Sequence, residues 1–199
     1  MRKLVLGAAM LLFAQFGFGQ AVNESAIIPV SVTLNAVSRL NIESGGNIKF
    51  VFTSINDYAT GFTGETESFY RTLVSISSST DFSVNLYAEG ANFLPSDDAT
   101  NTLAIGNLEY TLDWVGEAAN EPVDYTTGAW AQMTAASVAI IDNVTNPGDG
   151  GVAGRGEDNR FEIWWRLGTT NNTLGTILSQ GSSVSADHYV ANIFIELVN

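Results

Sequence analysis

Apolar and polar residues alternate along most of this chain, and no stretch carries a long helical period. The clearest case is Ile28-Pro29-Val30-Ser31-Val32-Thr33-Leu34, where Ile28, Val30, Val32 and Leu34 fall on one face of a predicted strand. Pro29 has no N–H to give to a ladder, which places that strand at a sheet edge. Arg39–Ile42, a Gly45-Gly46 turn and Ile48–Ile55 read as a hairpin, with Ile48, Phe50 and Phe52 on a common face. Residues 56–68 read as a loop with one helical turn. Further strands are predicted at Thr72–Ser77, at Phe82–Ala88 with Phe82, Val84 and Leu86 together, and at Leu108–Trp114 with Leu108, Tyr110, Leu112 and Trp114 together. In Leu108–Trp114 the opposite face, Glu109, Thr111 and Asp113, reads as solvent-facing.

Trp130–Ile141 is apolar and Ala-rich and is read as a strand. The glycine-rich run from Asn146 to Gly156 predicts an exposed loop that delivers the chain into Arg160–Leu167. Thr173–Leu178 and His188–Val198 complete the set, the last with Tyr189, Ala191, Ile193, Ile195 and Leu197 on one face. About nine strands separated by turn signals predict an all-β fold, a two-sheet antiparallel sandwich of immunoglobulin-like type.

The first nineteen residues break this pattern. Arg2-Lys3, the apolar run Leu4–Phe18 and the small-residue exit at Gly17-Phe18-Gly19 have the form of a secretory signal peptide. The run is roughly fifteen residues long, short of the ~20 that span a bilayer as a helix. The expectation is therefore an exported protein, in the periplasm, at the cell surface or outside the cell, whose working part is one domain over residues 20–199.

Charge narrows the partners. The whole chain carries 21 acidic and 8 basic side chains, and loss of Arg2 and Lys3 takes its net charge from −13 to −15. Nucleic acid and anionic membrane surfaces would repel it. There is no cysteine, so thiolate metal sites and cysteine nucleophiles are excluded and the fold is held without disulfides.

Candidate chemistry is sparse. The single histidine, His188, opens the last strand with no serine in a Gly-x-Ser-x-Gly setting, so the reading is non-enzymatic. Asp149, Glu157 and Asp158 gather carboxylates on and beside the glycine-rich loop, the donors that calcium takes. Trp130, Trp165 and Tyr125 are the candidate platforms on which a polysaccharide's rings would stack. Adjacent strand residues face opposite ways, so Trp164 and Trp165 divide between the two sides of their strand. Ile28, Val30, Val32 and Leu34 are the candidate assembly residues, because a strand free to leave its own sheet completes the sheet of a neighbour.

The signal, Val30-Ser31-Val32-Thr33-Leu34 with Asn41-Ile42 soon after, and the alternating C-terminal strand from Tyr189 together resemble bacterial secreted fimbrial-type β-sandwiches, including the spore-coat-U-like group. That resemblance implies an extracellular structural or adhesive subunit. The chain departs from many chaperone-assembled pilins in lacking cysteine. The two function classes that follow are a self-assembling surface subunit and a calcium-braced carbohydrate-binding module.

Overall fold

The computed structural model describes residues 29–122, 129–143 and 150–198. The chain divides into two units, Met1–Leu34 and Asn35–Asn199. In the first, Pro29–Leu34 is the described part, and it belongs to no strand.

The second unit is built from antiparallel strands. The larger sheet runs β1 (Ser38–Ser44), β3 (Arg71–Ser78), β10 (Arg160–Leu167), β7 (Leu108–Trp114) and β8 (Ala131–Gln132), with β2 (Phe62–Thr63) on the end of β10. A second sheet runs β12 (Ile193–Val198), β4 (Ser83–Ala88) and β9 (Val138–Ile141). A third, short one runs β11 (Tyr189–Val190), β5 (Asn92–Pro95) and β6 (Leu103–Ala104). The all-β, sandwich-like architecture read from the alternation is the one observed. The strands number twelve among the described residues, the surplus over nine coming from two-residue pieces such as β2, β6, β8 and β11.

Period-two burial builds the core. Phe161, Ile163, Trp165 and Leu167 of β10 point inward with Val74 and Ile76 of β3 and Leu108, Tyr110 and Leu112 of β7. Phe82, Val84, Leu86 and Ala88 meet them from around the second sheet, and Ile193, Ile195 and Leu197 pack half-buried against the same cluster. The shared faces predicted for these segments are therefore the core faces. No helix among the described residues is long and apolar enough to cross a membrane. The one α-helix among the described residues, α1 (Ile55–Thr60), starts at Ser54 with a capping box: the Asp57 carboxylate accepts from Thr53 N at 2.7 Å and Ser54 N at 2.8 Å. These backbone donors, Thr53 first, lower the Asp57 pKa to about 2.

Four expectations are corrected. The Gly45 hairpin does not form: β1 pairs with β3, and Ile48–Phe52 runs on without a ladder partner. Gly45 has φ +68°, and a Cβ there would stand 1.9 Å from the Arg71 carbonyl oxygen, so the turn is pressed onto β3 and its exit cannot fold back along β1. The glycine-rich run is not wholly an exposed loop. Gly151 is buried and bridges Phe82, whose ring a Cβ would strike at 2.2 Å, and Gly154 bridges Ser78. Thr173–Leu178 forms turns rather than a strand, followed by the 3-10 helix Leu178–Ser183. Trp130–Ile141 is not one strand, for β8 and β9 occupy its two ends in different sheets.

Phe161 is fully buried between β3 and β7. Phe161→Ala is expected to cost about 3–5 kcal/mol in urea-induced unfolding, whereas Val138→Ala on the exposed side of β9 is expected to cost under ~1 kcal/mol.

Candidate functional site

An open groove of about 910 Å³ with an apolar floor and mixed polar and apolar walls runs along one side of the second unit. Its floor is Leu103, Leu108, Trp165, Leu167 and Ile177 from the core, one wall is Ile48–Phe52, and the other is the chain from Val184 into the start of β12. That volume lies at the upper end of the ~300–1,000 Å³ typical of ligand sites.

The wall formed by Ile48–Phe52 is unusual in its backbone. Ile48, Phe50 and Phe52 turn toward the core and Lys49 and Val51 turn out, which is strand-like alternation. Yet none of the main-chain N–H and C=O groups of these five residues is hydrogen-bonded within the protein. Rings hold the segment in place: Phe50 stacks on Tyr70 at 4.6 Å, and Phe52 meets Phe62 edge-on at 4.9 Å. Across the groove, β12 is the outer strand of its sheet. The groove is thus flanked by two strand-like edges with backbone groups open to a partner.

Pro29–Leu34 has complementary properties. Val30, Val32 and Leu34 are 82 %, 75 % and 89 % exposed, and the segment makes no main-chain hydrogen bond. The strand predicted over these residues is not formed. Ile28, which continues the alternation, lies outside the described residues.

The other candidates are placed as follows. Asp149 and Tyr125 lie outside the described residues. Glu157 and Asp158 both turn to Arg155, at 2.7 Å and 3.1 Å. Among the described residues no group of three or more Asp, Glu or His side chains is placed to hold a metal ion. Trp165 is corrected from platform to core: it is 4 % exposed and its Nε1 donates to Thr72 Oγ1 at 2.9 Å. The outward member of the pair is Trp164, covered by the Arg71 guanidinium 4.1 Å from its ring centroid. Trp130 is covered in the same way by Arg166 at 4.3 Å, and its Nε1 donates to Glu65 Oε1 at 3.0 Å. A ring face occupied by a guanidinium is not free to receive a sugar.

The outer side of the larger sheet is not the plain solvent face the alternation suggests. Glu109 and Thr111 are 3 % exposed, and Glu109 takes a bidentate pair from Arg166 at 2.6 and 3.0 Å. Cross-strand register creates it, since Arg166 stands opposite Glu109 and Glu162 opposite Asp113. Burial and then the neighbouring Glu162 carboxylate raise the Asp113 pKa, against the pull of Arg71. The sequence contains no signal for these partnerships beyond opposite charges at matching strand positions.

Asp187, on the groove wall, ties that wall to the 96–101 loop. Its carboxylate accepts from Ser96 N, Asp97 N, Asp98 N and Asn101 Nδ2 at 2.8–3.1 Å. Burial acts to raise its pKa, but these donors prevail and hold it well below the usual carboxylate range.

No protein-family model matches the chain, and no curated protein matches it.

Two outcomes are expected. Arg166→Met leaves the Glu109 carboxylate buried without its partner and should lower unfolding stability by roughly 3–5 kcal/mol, while Arg155→Met, whose pair is exposed, should cost under ~1 kcal/mol. The lowered Asp187 pKa means stability that is present above the ordinary Asp value of ~3.9 and lost as pH falls below it. The melting temperature of Asp187→Asn should therefore lie below that of the native chain at pH 7 and converge on it through acid pH.

Proposed function

We propose that this protein is an exported, non-enzymatic structural or adhesive subunit of a bacterial surface or filament, and that its copies join by strand addition. Residues Pro29–Leu34 of one copy lie along Ile48–Phe52 of the next, with Val30, Val32 and Leu34 turned into the groove. The observation that carries this reading is the coincidence of two unpaired, alternating segments, one with exposed apolar side chains, the other bordering an open groove with an apolar floor. Export rests on the signal-like first nineteen residues, and the fimbrial-type resemblance agrees with the rest.

Magnitudes set the kind of association. Burying three Val or Leu side chains contributes about 1.5–3 kcal/mol each. Ordering six residues costs about 1–2 kcal/mol each, a similar total. The ladder hydrogen bonds, at roughly 0.5–1.5 kcal/mol apiece, then decide the balance. The pairing is therefore reversible and depends on concentration, and one charge placed in the groove is enough to break it.

Light scattering on the chain from Gln20 to Asn199 over a concentration series tests this. The expected result is a mass that rises with concentration and stays at the monomer value in Val32→Asp. A monomer at every concentration would overturn the reading, as would growth in mass that Val32→Asp leaves unchanged.

A further inference from the structure

A small polar recess of about 220 Å³ lies on the outer face of the larger sheet, lined by Arg39 and Asn41 of β1 and by Ser75 and Ser77 of β3. Register brings them together: Arg39 stands opposite Ser77, Asn41 opposite Ser75, and Ser75 in turn opposite Arg160 of β10. Gly156 completes the rim, close enough that a Cβ there would sit 3.1 Å from Ser77 Oγ and 3.5 Å from Ser75 Cβ.

None of the four lining side chains makes a hydrogen bond or ion pair within the protein. Ser75 is 6 % exposed and lines the recess, so its hydroxyl is available to whatever occupies it. For Arg39 the lack of a partner is unexpected on charge grounds. The chain has 21 carboxylates, and Arg71, Arg155, Arg160 and Arg166 all hold one or more of them, but Arg39 holds none. The nearby Arg160 guanidinium is engaged at Nη2 by Glu43 at 2.6 Å, while its Nε is buried without a partner. Donors are therefore in excess around the recess, and the carboxylate next to it, Glu43, is already neutralised.

We propose that this recess binds a small oxyanion group of the sulfate type, held by the Arg39 fork and the Ser75, Ser77 and Asn41 donors. The volume is below the ~300–1,000 Å³ of whole-ligand pockets, so the recess takes one charged group and not a sugar ring. The group arrives as the free ion or as a substituent of a sulfated saccharide. In a protein of net charge −13, such a site works through directed hydrogen bonds, because the overall field opposes anions.

The test uses the chain from Gln20 to Asn199 with sodium sulfate as the probe, titrated against sodium chloride at constant ionic strength and read by amide NMR shifts. Saturable shifts at Arg39, Asn41, Ser75 and Ser77 are expected, with a dissociation constant on the order of 1–10 mM. Arg39→Gln, on an exposed position that leaves the fold unchanged, should weaken binding at least ~10-fold, and Arg39→Lys should restore part of it. A sulfated disaccharide in the second arm identifies the source: tighter binding than sulfate points to a saccharide substituent, equal binding to the free ion. Shifts that rise without saturation, or that Arg39→Gln leaves unaltered, would overturn the proposal.

Discussion

Unpaired main-chain polarity beside buried apolar surface is the constraint on which this structure turns. A main-chain N–H or C=O needs a partner once water is removed from it, and Ile48–Phe52 holds a row of unpaired main-chain groups at the lip of a groove floored by Trp165, Leu167 and Leu108. Side-chain alternation has already committed the segment to a strand-like conformation, with Phe50 and Phe52 pinned by Tyr70 and Phe62. The entropy of ordering one side of a ladder has therefore been met before any partner arrives, and the proposed strand addition rests on that preorganisation.

The rest of the unit keeps that edge in place. Buried rows from β3, β7 and β10 form a continuous floor, and the Glu109–Arg166 pair with the Arg-covered Trp130 and Trp164 closes the far side of the same strands. Asp187 fixes the opposite wall by gathering main-chain donors from the 96–101 loop. Each wall is thus held by its own contacts, the rings of Phe50 and Phe52 on one side and the Asp187 carboxylate on the other.

Much of this was legible in the sequence, for a definite reason. Period-two burial on Arg160–Trp165 and His188–Val198, and the inward face of Leu108–Trp114, depend on local alternation, and alternation is written in the chain. Pairing is not. Gly45-Gly46 has the composition of a hairpin turn, but the close approach of Gly45 to Arg71 sends β1 to β3 and leaves Ile48–Phe52 alone. In the same way, Trp164-Trp165 announces that one ring faces each side but not which, and Glu109 looks like a solvent residue until register sets Arg166 opposite it. Val30–Leu34 has the alternation of a strand but forms none, because alternation fixes the faces of a segment and not its partner.

Hydrogen exchange at the amides of Ile48–Phe52, followed as protein concentration is raised, tests the central claim most directly. The account predicts rapid exchange in dilute solution and protection that grows with concentration, on these five amides and on those of Ser31–Leu34 together. Rapid exchange at every concentration would contradict it, and so would protection already complete in the dilute monomer.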